Sequence, residues 1–245
     1  MTLLSHRHLR PLILCLTLAL AAGCRTIAFR DIQRDFQDAV RADNAGDPFS
    51  DGHESVVATL TPEYISALDA RLRPNAWMLR AVSAWRSGQY RMANESAERG
   101  RRDPGLVSGS RDDVILNLVP ALAIDGEQTA RLSRAPAALS GADYRNYETA
   151  YKLALQQISE ARNRFNEKTP EDVAAYFYYQ RWRLLQHWTA AINRLDPREP
   201  DAIVAATEQA RRILGKPLDE AVIESRDKIP TGHPLRNLVR AQGGQ

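Results

Sequence analysis

Cysteine is almost missing from this chain: of 245 residues only Cys15 and Cys24 carry a thiol, both at the N-terminal end. Residues 25–245 therefore form no disulfide among themselves in any compartment and offer zinc no cysteine ligands. Lysine is scarce too, at positions 152, 168, 216 and 228, so the basic character rests on arginine. No apolar run reaches the roughly 20 residues that a membrane-spanning helix needs. No β-branched run alternates with polar residues, which excludes a sheet-based fold. Walker loop, GxSxG, dinucleotide fingerprint and HExxH are all absent. His53, His187 and His233 stand too far apart to suggest a metal set, so neither metal nor cofactor is expected. The adjacent carboxylates Asp112/Asp113 and Glu171/Asp172 cannot flank one bond as an acid/base pair, and read better as helix caps.

What is present begins with an export signal. Arg7 and Arg10 precede an apolar stretch from Leu12 to Ala22, about half the length of a spanning helix. The stretch ends in Leu20-Ala21-Ala22-Gly23-Cys24, which resembles the lipobox of bacterial lipoproteins. That resemblance implies a signal peptide over residues 1–23, cleavage before Cys24 and a lipid on its thiol; an ordinary cleaved signal is the competing reading. Arg25 stands where an Asp would favour inner-membrane retention, so the resemblance implies the outer membrane of a Gram-negative cell, facing the periplasm. Without the two arginines of residues 1–23, 31 of the 33 basic side chains remain against 30 acidic ones. So even a balance gives no general attraction to nucleic acid, which is not expected as a partner.

Helical periodicity runs through almost all of the rest, giving an all-α class. Ile27, Ile32, Phe36, Ala39 and Val40 form a stripe over residues 26–43, which predicts a first amphipathic helix close to the anchor. The turn-rich residues 44–52 should form a loop separating the anchor region, residues 24–52, from a body over 53–245. Thr61-Pro62-Glu63, Ser110 to Asp113 and Thr169-Pro170-Glu171 read as helix starts. Tyr144, Tyr147, Tyr151, Ala154, Ile158, Ala161 and Phe165 predict a long helix over 143–167. A partner over 170–195 would complete a long hairpin, followed by a shorter pair near 199–214 and 217–228.

Residues 75–104 carry the most specific pattern of the body. Trp77, Ala81, Gly88, Tyr90, Ala93, Ala97 and Pro104 resemble a tetratricopeptide repeat, with Gly100 where that family prefers Ala. The resemblance implies a right-handed stack of antiparallel helix pairs, a TPR-like α-solenoid including the one longer hairpin. It places groove positions, for contact with a partner protein, on Asn75, Met78, Val82, Trp85 and Arg86; packing of Trp85 on a neighbouring helix is the competing reading. A second candidate surface is Tyr176, Tyr179 and Trp182, spaced i, i+3, i+6, unless that aromatic helix lies buried between neighbours.

The function these features imply is a lipid-anchored, non-enzymatic scaffold that holds a partner protein at the outer membrane. The competing class is a helical ligand-binding or hydrolytic domain acting on cell-wall or lipid material.

Overall fold

In the computed structural model residues 27–43 and 51–242 are described; the expected signal peptide, Cys24 and most of the loop over 44–52 fall outside them. Among the described residues there are eleven helices and no strand. They are α1 (27–43), α2 (Gly52–Thr59), α3 (Pro62–Ser66), α4 (Arg73–Arg86), α5 (Tyr90–Arg101), α6 (Arg111–Arg134), α7 (Gly141–Arg162), α8 (Glu171–Asn193), α9 (Pro200–Leu214), α10 (Leu218–Asp227) and α11 (Pro234–Gln242).

Short polar side chains start several of these helices. Thr61 accepts the N–H of Tyr64 with Pro62 at the first position of α3, and Ser110 accepts that of Asp113 at the start of α6. Each bond satisfies a donor that the first helical turn leaves without an intrahelical partner. Ser140 does the same for Asp143 and also donates to its carboxylate at 2.6 Å. The expected cap at Thr169 is a different device. Pro170 precedes the first residue of α8, while Thr169 Oγ1 accepts from Asn166 N–H and donates to the Gly109 carbonyl, joining the α7–α8 turn to the start of α6.

The pair read from residues 75–104 is present as α4 and α5, turning at Gly88, whose φ of +74° suits glycine. Gly100 is required by packing. A Cβ there would stand 2.7 Å from a Leu116 methyl and 2.9 Å from the Trp77 Cβ, so α5 approaches α4 and α6 through a missing side chain. Both helices of the expected long hairpin are present, as α7 and α8, and they touch, but α7 has a further long neighbour. Helices α6, α7 and α8 have 24, 22 and 23 residues, and α7 packs far more extensively on α6 than on α8. Periodicity identified the apolar face of α7 but could not name its neighbour. Helix α6 remains continuous despite Pro120, whose missing N–H leaves one carbonyl of the preceding turn without its usual donor.

Packing follows chain order: α4 on α5, α5 on α6, α6 on α7. Alternate helices α4, α6 and α8 also meet, and α10 lies against α8. One apolar core runs from Phe29 to Ala221, with Trp188, Tyr147 and Tyr151 fully buried. Trp188 donates to the Tyr144 hydroxyl at 2.8 Å and stacks on Tyr151, so its polar edge is satisfied inside the core. In α1 the buried stripe is Phe29, Ile32 and Ala39, with Phe36 half-buried, whereas Ile27 is 63% exposed. The expected stripe was thus off by two positions at its start: Phe29, not Ile27, keeps the three-and-four spacing to Ile32 and Phe36.

Candidate functional site

Where α4, α6 and α8 come together, a groove opens with α1 as its fourth wall. Its cavity is about 530 Å3, which is within the range of ligand-sized sites. Met78, Leu79 and Val82 come from α4, Ile115 from α6, Val173 and Tyr176 from α8, and Leu235 from the start of α11. Gln33, Phe36, Gln37 and Val40 line it from α1. The lining is largely apolar, with Gln33, Gln37, Asn75, Arg86, Arg111, Asp172 and His233 as its polar members. Arg111 and Asp172 bond at 2.7 Å, joining the first turns of α6 and α8.

Five of the eight expected contact residues line this one groove: Asn75, Met78, Val82, Arg86 and Tyr176. The other three do not. Trp85 is buried, with the Arg86 guanidinium 4.6 Å above its ring, so packing is the role the structure gives it. Trp182 is buried in a second small cluster with Ala175, Ile229 and Val239, against which Tyr179 packs. The stripe of Tyr176, Tyr179 and Trp182 is therefore split: its first member lines the groove, and the others lie under the C-terminal helices. Spacing alone could not separate these cases, because the covering residues come from α10 to α11, more than 40 positions later.

That α1 lines the groove was not anticipated, although Phe36 and Val40 belong to its expected stripe. Gln33, Phe36, Gln37 and Val40 recur at i, i+3, i+4 and i+7, so a second stripe beside the buried one was the available signal. Polar bonds fix this helix in place. Gln33 Nε2 donates to Asn75 Oδ1 at 2.8 Å, and Asn75 Nδ2 donates in turn to Asp112 at 3.0 Å. Burial raises the Asp112 carboxyl above its ordinary range, and the Asn75 bond pulls it back. At the far end of α1, Asp43 lies 3.2 Å from His53 Nε2 and 3.5 Å from Arg86. Burial also governs Tyr176, pushing its phenol up, with Arg86 and Arg183 acting in the opposite direction.

Two histidine networks were also missed. His53 places Nδ1 3.1 Å from Ser83 Oγ and Nε2 3.2 Å from Asp43. The residue types are those of a nucleophilic triad, but Ser83 has no exposed surface and the Phe36 ring meets His53 edge-on, so the hydroxyl is covered while α1 is seated. His187 Nδ1 lies 2.8 and 3.0 Å from the two oxygens of buried Asp125 and 3.2 Å from Thr129, tying α8 to α6. Among the described residues no cluster of three or more His, Cys, Asp or Glu side chains is placed to hold a metal ion. No described helix is long and apolar enough to cross a membrane. No protein-family model matches the chain, and no curated protein or solved structure matches it.

Proposed function

We propose that this chain is a lipid-anchored helical-repeat scaffold, tethered through Cys24 to the periplasmic face of the outer membrane, where its groove holds a partner protein. The observation that carries this reading is the convergence of five expected contact residues from α4 and α8 on one apolar groove with polar groups at its edges. Met78 and Tyr176 suit such a surface: the thioether adapts to irregular shapes, and tyrosine offers apolar area with a polar tip. The order of packing, in which α4, α6 and α8 meet along one side, supports a TPR-like stack. In this reading the chain does no chemistry, and neither histidine network presents a reachable nucleophile while α1 is seated.

Membranes solubilised in mild detergent provide the test. The tagged wild-type chain should recover a defined partner, and Tyr176→Ala should reduce that recovery severalfold, while Val204→Ala, at an exposed site on α9, should not. Equal recovery by all three sinks the groove assignment. A second reading follows from the size of the cavity: about 530 Å3 lined by Met78, Val82, Ile115 and Val173 also suits an elongated apolar ligand. Lipid recovered in stoichiometric amount from the purified chain, with no protein partner, would favour it.

A further inference from the structure

The groove already holds a helix. Phe29, Ile32 and Ala39 of α1 are buried against the body, Gln33 is bonded to Asn75, and Asp43 faces both His53 and Arg86. With Gln33, three more α1 residues, Phe36, Gln37 and Val40, form one wall of the remaining cavity. We propose that α1 is an exchangeable internal occupant of this groove, and that the external partner is an amphipathic helix which displaces it and presents the same features. Those features are an apolar stripe at the spacing of Phe29, Ile32, Phe36 and Ala39, followed one turn later by a carboxylate that takes the place of Asp43. The inference rests on the groove being a binding surface, and it adds what binds and what must leave.

Two observations carry it. The first is fit. A largely apolar cleft of about 530 Å3 stays open to solvent beside α1, lined by Met78, Val82, Ile115, Val173 and Tyr176. A helix that filled this space would bury the exposed parts of Tyr176 and the cavity faces of Val82 and Ile115 better than α1 does. The second is the nature of the hold on α1. An isolated helix of this length is marginal in water, so α1 owes its order to the groove. Among the described residues, the ion pairs at its end run through one carboxylate, Asp43, shared by His53 and Arg86, a pairing that any equivalent carboxylate can replace. Charge therefore selects the partner as well: a helix with a basic residue at that place would set like charge against Arg86.

The test uses the full mature chain and a fluorescein-labelled peptide of residues 27–43 as competitor, read by anisotropy. Asp43→Ala in the chain should raise peptide affinity about tenfold, equivalent to about 1.4 kcal/mol. A chain carrying Gln33→Cys and Asn75→Cys, joined by a short bis-maleimide, should bind no peptide, whereas the same chain before joining should bind it. A peptide with Phe29→Asp and Ile32→Asp should bind neither. If the joined and unjoined chains bind the peptide equally, or Asp43→Ala leaves affinity unchanged while circular dichroism shows it folded, the proposal is overturned. Should Asp43→Ala unfold, the joined and unjoined pair decides alone. The readout is independent of any cellular partner, so failure of partner recovery with successful peptide exchange would reject the scaffold reading and leave the exchange standing.

Discussion

Individual residues show where function has been traded against packing. Ala in place of Gly within a helix ordinarily stabilises, by roughly 0.5–1 kcal/mol. At Gly100 the sign reverses, because the added methyl has no room beside Leu116 and Trp77. Gly100→Ala should cost about 1–3 kcal/mol in denaturant unfolding, as overpacked cores do. The tetratricopeptide pattern suggested Ala at this place, and sequence alone held no sign that the α6 side chain Leu116 fills the space instead. His53 has a pH signature. Burial holds its imidazole below the ordinary value of 6.5, with Asp43 pulling upward and Arg86 downward. The folded chain then binds fewer protons at this site than the unfolded one, so its contribution to stability is complete above that value and is lost as pH falls through it. Amide exchange in α1, corrected for intrinsic rates, should therefore quicken between about pH 7.5 and about pH 5.5. His53→Gln should remove the increment.

Among the elements, the second half of the chain is held by a less obvious device than caps. Arg194, just past α8, donates to the carbonyls of Leu132, Ala135 and Pro136, while Leu139 exchanges backbone bonds with Arg194 and Asp196. One guanidinium thus satisfies the frayed end of α6 and the connection to α7. Arg194→Ala should destabilise by about 1–3 kcal/mol, measured as a lowered Tm, because the partly buried carbonyls of Leu132 and Ala135 lose their donor. This contact was not legible, since an arginine following a helix looks like an ordinary exposed charge. By contrast α4 and α5 were legible residue by residue: Ala81, Ala93 and Ala97 are fully buried at the helix contacts, and Gly88 turns the chain. Helix α11 went unread because its apolar residues are few, Leu235, Leu238 and Val239, and arginines interrupt them. Without α11 the sequence left open whether Tyr179 and Trp182 were covered or exposed; they pack in the cluster that Val239 shares. The candidate site was legible where it depended on one helix, as in Asn75, Met78, Val82 and Arg86. It was illegible where it depended on which distant helix lies opposite, as with the wall from α1.

At the scale of the whole molecule, the proposed anchor and the groove lie at the two ends of one short stretch of chain. Cys24 lies outside the described residues, three positions before the helical stretch that begins at 27. With the proposed lipid on Cys24, α1 would follow the anchor by three residues, and its exchange would pass a binding event toward the membrane. Cys24→Ser should leave an unprocessed precursor that lacks the lipid; normal retention of a processed chain in the membrane fraction would contradict the anchor. The central claim, that the groove between α4, α6, α8 and α1 is the interaction surface, is tested most directly by photo-crosslinking in cells. A photoreactive residue replaces Tyr176 in the full chain, with the same replacement at Val204 on exposed α9 as reference. Position 176 should give a discrete adduct that is lost when α1 is covalently joined to α4, and position 204 should give none. Adducts of equal yield from both positions, or none from 176 while 204 captures a protein, would contradict that claim.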